Sequence, residues 1–243
     1  MTGMKIESVV LRSNGDAKRA YLSFDACVAV GYAGRDQDAV RAHIEELRAI
    51  GVPVPSTIPS MYWVTPDLVS CTTEITAVGE KTSGEIEVFL ARDEVGNMCV
   101  TVASDHTDRQ LETVSVAKAK QICPKVIGPC FWNVSDIRDH WDALELTCSV
   151  RPVTRQGRRH GWALYQQGTL ARLLPPEKLF ELAGERTGTD VPTGARVALL
   201  SGTLPVIGGD IVYGEAFLIE LRDPVLGRCI RHEYSVRILP DRN

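Results

Sequence analysis

Glu85 and Glu87 lie two apart in Gly84-Glu-Ile-Glu-Val88, and Asp105 follows in Ser104-Asp-His-Thr-Asp-Arg109. Strand residues two apart share a face, so Glu85 and Glu87 project together while Ile86, Val88 and Leu90 take the opposite, apolar side. Asp93-Glu-Val-Gly-Asn97 reads as a turn, and Val100 and Val102 resume the alternation. A three-residue loop centred on Gly96 would set Glu87 directly across from Asp105, on the same face. Two carboxylates about 4 Å apart repel by roughly 4 kcal/mol at an effective dielectric of about 20, so a dry trio needs protons or a cation. An oxygen-only, thiol-free set suits Mg2+, Mn2+ or Ca2+ rather than zinc. The competing reading is a solvated sheet face, and a one-residue slip in register would turn Asp105 away.

The elements that must position this trio are mostly short strands punctuated by Gly, Pro and Asp. Ile6–Leu11 and Ala20–Phe24 are strand-like. A helix follows from Asp36 or Asp38 to Ala49, with Val40, Ile44 and Leu47 on one stripe, an aspartate N-cap, and Gly51 and Pro53 ending it. Proline and serine dominate from Pro53 to Leu68, which predicts an extended connection. A second helix is expected over Pro176–Ala183, stopped by Gly184. The fold class is therefore mainly β with few helices (α+β), divided into residues 1–53, the N-terminal strands and helix, and residues 54–243, a large β-domain. His43 and Glu46 are three apart on the first helix and so are surface neighbours, by spacing alone an ordinary exposed pair.

Composition excludes several functions. At 243 residues and 44% hydrophobic the chain can bury a substantial core. A net charge of -4 argues against a nucleic-acid partner. No apolar run reaches the roughly 20 residues of a membrane span, and Met1-Thr-Gly-Met-Lys-Ile-Glu7 lacks a signal-peptide core, so a cytoplasmic location is expected. The seven cysteines are scattered, odd in number and never spaced Cys-x-x-Cys, which predicts reduced, mostly core thiols.

The order of motifs resembles the fumarylacetoacetate hydrolase superfamily, whose members carry a Glu-x-Glu and then an Asp with Arg four residues on. Here those are Glu85, Glu87, Asp105 and Arg109. Cys123-Pro-Lys-Val-Ile-Gly-Pro129 is similar to the superfamily's Pro-x-Gly-Pro segment, which follows an active-site lysine; Lys118 is the nearer match by spacing, and Lys120 stays open. Tyr165-Gln-Gln-Gly-Thr169 is similar to its Gln/Gly/Thr turn, and Leu200-Ser-Gly-Thr-Leu-Pro205 with Gly209-Asp210 to its Thr-Gly-Thr-Pro and Gly-Asp pair. Gly34-Arg35 before His43-Ile-Glu-Glu46 is similar to a Gly-Arg and a His-x-x-Glu lid helix that activates water. The superfamily's long segment between Glu-x-Glu and Asp is cut here to a tight hairpin, which points to an atypical, uncharacterised bacterial branch.

The resemblance implies a mixed β-sheet roll, a magnesium site (or Mn2+ or Ca2+) on Glu85, Glu87 and Asp105, and hydrolysis of a carbon-carbon bond in a small oxo-acid or 1,3-dicarbonyl of acylpyruvate type through an enolate. It further implies His43, Glu46 and Lys118 as catalytic residues, Arg35, Arg109, Gln167, Gly202 and Thr203 as substrate-binding residues, and a homodimer. The alternatives are a hydratase, isomerase or decarboxylase of a 2-oxo acid, or a non-catalytic carboxylate-binding protein. Asp108 is a reserve ligand. His106, alternating with Asp105, should face away. Arg151, Arg155, Arg158, Arg159 and His160 read as a solvated hairpin tip, and Trp132, Trp141 and Trp162 as core or interface aromatics.

Overall fold

A computed structural model describes residues 3–49, 54–153, 161–187 and 194–242. Its centre is the hairpin that carries the acidic residues. Strands Ile86–Arg92 and Met98–Asp105 pair antiparallel, the Asp93 amide donates to the Asn97 carbonyl (3.0 Å), and Gly96 takes φ +89°, a conformation open to glycine without a Cβ clash. The loop is thus Glu94-Val-Gly96, one residue earlier than the spacing suggests. Glu87 consequently pairs with Ala103, and the Asp105 amide donates to the Glu85 carbonyl (3.0 Å). A shift of two residues leaves every side chain on its expected face.

Both faces of this hairpin are buried, which decides against a solvated acidic face. Val88, Leu90, Val100 and Val102 join one apolar cluster with Leu146, Phe217, Ile219 and Ile230. On the other face Phe89, Ala91, Cys99 and Ala103 pack with Leu22, Phe24, Phe131 and Leu200. Glu85 and Glu87 share this second face, which lies inside the curl of the sheet.

The large sheet is mixed and runs in the order Ala17–Phe24, Met4–Leu11, Cys130–Asn133, Met98–Asp105, Ile86–Arg92, Val197–Leu200, Ala26–Gly31, Ser60–Val64. Met4–Leu11 is parallel to Cys130–Asn133, and Val197–Leu200 to Ala26–Gly31. Lys125–Ile127 adds to the far end of Met98–Asp105 and pairs in turn with Val69–Ser70. A five-stranded sheet, Ala163–Thr169, Glu145–Pro152, Gly214–Asp223, Arg228–Leu239 and Glu74–Val78, covers the first cluster. The expected mainly β architecture is what forms: 48% of the chain is strand and 21% helix. Strands from before residue 50 and from after residue 125 share one sheet, while the boundary expected near Pro53 lies outside the described residues.

Two local expectations are corrected. Ser60–Val64, expected as an irregular connection, is an edge strand on Ala26–Gly31; an edge needs donors on one side only, so it can follow a proline-rich stretch. The second helix runs Pro176–Thr187, straight through Gly184. Burial of Leu179 and Ala183 holds that turn, and a helical glycine costs only about 1 kcal/mol relative to alanine. Trp132 and Trp141 are buried, and Trp162 is exposed on this chain and stacks under the Arg151 guanidinium at 4.7 Å. The basic tip, Arg155 to His160, lies outside the described residues.

The first helix spans Gln37–Ala49, with Asp36 as its N-cap accepting from the amides of Asp38 (3.1 Å) and Ala39 (3.0 Å). All seven cysteines are free; Cys27, Cys99, Cys123 and Cys148 are buried, and Cys71 and Cys229 are exposed. Among the described residues no helix is long and apolar enough to cross a membrane.

Candidate metal centre

Glu85, Glu87 and Asp105 each offer an oxygen within 4.8 Å of the others. Asp105 is wholly buried, Glu87 is 2% exposed and Glu85 is half-buried at the rim. Three cations surround them. Arg109 donates to Glu85 (3.1 Å), to Glu112 (2.8 Å) and, through Nε, to Ser83 Oγ (2.6 Å). Lys120 contacts Asp105 and reaches Glu85 at 3.1 Å. Lys125, directly across from Asp105 in the sheet, bonds its carboxylate at 2.7 Å and the His106 carbonyl at 2.6 Å.

The consequences for charge differ along the trio. Burial alone would raise all three carboxyls. For Asp105 the two lysines outweigh burial and hold it well below the ordinary range, and for Glu85 Arg109 and Lys120 outweigh burial and lower it. Glu87 has no cationic side chain paired with it among the described residues; burial and the Asp105 charge push it well above the ordinary range. Among the described residues its Oε2 accepts only the Gly202 amide, at 3.0 Å. Glu87 is therefore the one acid in the trio whose ionisation awaits a further positive charge. An all-oxygen donor set of this kind fits a hard divalent cation such as Mg2+.

The Ser201-Gly-Thr203 turn forms one wall. From Val88 back to Ile86 the outer edge of strand Ile86–Arg92 has no strand beside it among the described residues, and side chains replace the missing ladder. The Val88 amide donates to Ser201 Oγ (3.0 Å), the Ile86 amide to Gln166 Oε1 (2.9 Å), and Thr203 Oγ1 donates to the Ile86 carbonyl (2.9 Å). Gly202 sits at φ +85°, where an added Cβ would lie 2.8 Å from the Val30 carbonyl. Gly202→Ala is expected to cost about 1–2 kcal/mol from the backbone conformation alone, and more from the clash, with a matching fall in the thermal midpoint.

The structure sorts the remaining expected residues. Gln167 is exposed, one residue out of phase on its strand; buried Gln166 faces inward and donates to Thr203 Oγ1 at 2.9 Å. Lys118 is also exposed, whereas Lys120, two residues on along the same short helix, reaches the carboxylates. Arg35 forms a two-bond fork with Asp142 (2.7 Å each) and donates to the Leu173 carbonyl. Asp108 caps the helix Arg109–Glu112 through the Leu111 amide and does not join the trio. His43 lies on the first helix, but its side chain is outside the described residues; Glu46 is exposed there. Lys125 went unrecognised in the sequence, although its place after Cys123-Pro124, on a strand beside Asp105, was a usable signal.

His106 faces away from the carboxylates, as alternation requires, and its Nδ1 meets Tyr234 Oη at 3.1 Å. Burial, then the Lys125 and Arg109 charges, hold its pKa down to about 3. A depressed histidine leaves stability fully present above the unfolded value of about 6.5 and removes it as pH falls toward the folded value. Wild type is expected to lose up to about 1.4 kcal/mol per pH unit between pH 6 and 5 in urea titrations, a slope absent in His106→Gln.

Outside the trio, a cleft of about 660 Å3 lies between the first helix and the turn, lined by Tyr32, Val40, Arg172, Leu173, Thr203 and Leu204 among others.

A family described as protein of unknown function (DUF2848) matches residues 30–234. No curated protein is similar to the chain in sequence. Among solved structures, 2-keto-3-deoxy-D-arabinonate dehydratase complexed with magnesium and 2,5-dioxopentanoate superposes with a TM-score of 0.60 at 16% identity, over 93% of this chain and 78% of that one. An apo form of 2-keto-3-deoxy-D-arabinonate dehydratase gives 0.60 at 14%, over 98% and 100%. Cg1458 gives 0.59 at 17%, over 92% and 80%. The chain thus belongs to the DUF2848 family, and its fold is that shared by 2-keto-3-deoxy-D-arabinonate dehydratase and Cg1458.

Proposed function

We propose that this protein is a divalent-metal-dependent enzyme that cleaves a carbon-carbon bond in a small oxo-acid or 1,3-dicarbonyl of acylpyruvate type. The observation that carries the reading is the buried trio, with donor oxygens within 4.8 Å and Glu87 lacking a counter-charge. A bound Mg2+ or Mn2+ on Glu85, Glu87 and Asp105 would polarise two substrate oxygens and stabilise enolate charge. The chain's own groups divide the remaining work. Lys120, kept charged by Asp105 and Glu85, would donate to the developing oxyanion. Arg109 would fix the orientation of Glu85 through its fork, anchored on Ser83. The Gly202 amide holds Glu87, and Thr203 would offer a substrate carboxylate its backbone NH, with Gln166 fixing the direction of its hydroxyl. His43 and Glu46 remain the proposed base and its orienting partner for water attack on the acyl carbon.

A second reading, removal of water from a 2-oxo-3-deoxy acid, is favoured by the likeness to a dehydratase whose structure holds magnesium and 2,5-dioxopentanoate. It uses the same enolate stabilisation and needs no water-activating base. Chelator-treated protein, reloaded with Mg2+ or Mn2+, should be offered acylpyruvates, oxaloacetate and 2-oxo-3-deoxy aldonates with product analysis by NMR. Metal-dependent release of pyruvate and a carboxylic acid supports the hydrolase, and a dehydrated product the alternative. Tight binding without turnover across the panel would make the protein a carboxylate carrier and overturn both.

A further inference from the structure

The cleft beside the turn is mainly apolar, and its charges are unevenly compensated. Arg35 is neutralised by its fork to Asp142, at 2.7 Å through each nitrogen, and Asp36 is committed to the helix N-terminus. Arg172 is different. It lines the cleft, is exposed, and its guanidinium has no hydrogen bond or ion pair among the described residues, although its carbonyl accepts from the Arg35 amide at 2.9 Å. Its stem is nonetheless placed: a Cβ built on Gly168 would lie 3.4 Å from Arg172 Cδ and 3.1 Å from Leu204 Cδ1, so the side chain crosses the Gly168 backbone beside Leu204. Leu204 follows Thr203, and Gly202 before it holds Glu87. The unpaired guanidinium therefore shares an apolar cleft with the wall of the metal centre.

Tyr32 adds a second sign of use. It is the one non-glycine residue at positive φ among the described residues, at +58°, and it lines the same cleft. Such strain costs about 1–3 kcal/mol and concentrates where a ligand is clamped. An apolar cleft with one unpaired, fork-shaped donor suits a ligand with an apolar stretch and a carboxylate beyond it.

We propose that Arg172 selects a diacid substrate: a 2-oxo acid whose second carboxylate, separated from the chelating end by a short aliphatic spacer, pairs with the Arg172 guanidinium. This rests on the oxo-acid reading above and names its substrate class. Arg172 is then a specificity residue that touches substrate away from the reacting atoms.

The test uses metal-loaded full-length protein and three ligands in calorimetry. Oxalate probes only the chelating end; 2-oxohexanoate and 2-oxoadipate are matched in length and differ in the second carboxylate. Wild type is expected to bind 2-oxoadipate about 10- to 100-fold more tightly than 2-oxohexanoate, as a charge-assisted bond to arginine warrants. Arg172→Ala should remove that preference while leaving oxalate and 2-oxohexanoate unchanged, and Arg172→Lys should restore part of it. Equal affinities in wild type, a preference that survives Arg172→Ala, or an equal loss for both six-carbon acids overturns the proposal while oxalate still binds. Failure of oxalate to bind metal-loaded wild type overturns the oxo-acid reading itself, and this proposal with it.

Discussion

Asp105→Ala should destabilise the metal-free protein by about 3–5 kcal/mol, as expected when a buried ion pair loses one partner. Asp105 is wholly buried and is the shared counter-ion of Lys120 and Lys125. Without it Lys120 retains Glu85, but Lys125, itself wholly buried, keeps only the His106 carbonyl. For a chain of this length that loss corresponds to a fall of roughly 6–20 °C in thermal midpoint. Lys125→Met in the same background should recover part of it, because the second change removes the charge left unpaired, and a double-mutant cycle measures the recovery. A cost below about 1 kcal/mol would mean that the cluster is hydrated and its charges screened.

Glu87→Gln should have the opposite profile, with little effect on the fold and a large one on activity. Burial and the nearby Asp105 charge push the Glu87 carboxyl well above its ordinary range, toward its neutral form, and a neutral amide of the same shape can accept the Gly202 amide in its place. At a pH near the unfolded carboxyl value of about 4.3, stability in chelator should change by less than about 1 kcal/mol. Metal affinity should fall at least about 100-fold, and metal-dependent turnover with it. The pH dependence has a defined sign. A raised carboxyl holds a proton in the folded state that the unfolded chain releases above about 4.3, so metal-free wild type loses stability relative to Glu87→Gln as pH rises beyond that value.

Much of this was legible in the sequence because strand alternation is strict. Placing Glu85, Glu87 and Asp105 on one face needed only their parity, and parity survived an error of two residues in register. The same strictness explains the Gln167 miss. Tyr165-Gln-Gln-Gly offers two adjacent glutamines, and composition does not say which one faces in; the bond from the Ile86 amide to Gln166 does. Lys118 and Lys120 posed the problem in helical form, since position around a six-residue helix depends on where Ser115 caps it. Gly184 read as a stop because a local signal was weighed without the burial of Ala183 beside it. That both faces of the hairpin are buried was invisible, because Glu85 and Glu87 give their half of the strand a polar pattern. The strand is polar there because the sheet curls around a charge cluster, not because it meets water.

The most direct test of the central claim is calorimetric titration of chelator-treated wild type and Glu87→Gln with Mg2+ and Mn2+, followed by oxalate. Saturable metal binding by wild type, lost in a folded Glu87→Gln, with oxalate binding only when metal is present, is the predicted result. A wild type that binds neither ion would contradict the account, leaving Glu85, Glu87 and Asp105 as a buried ion-pair cluster closed by Lys120, Lys125 and Arg109.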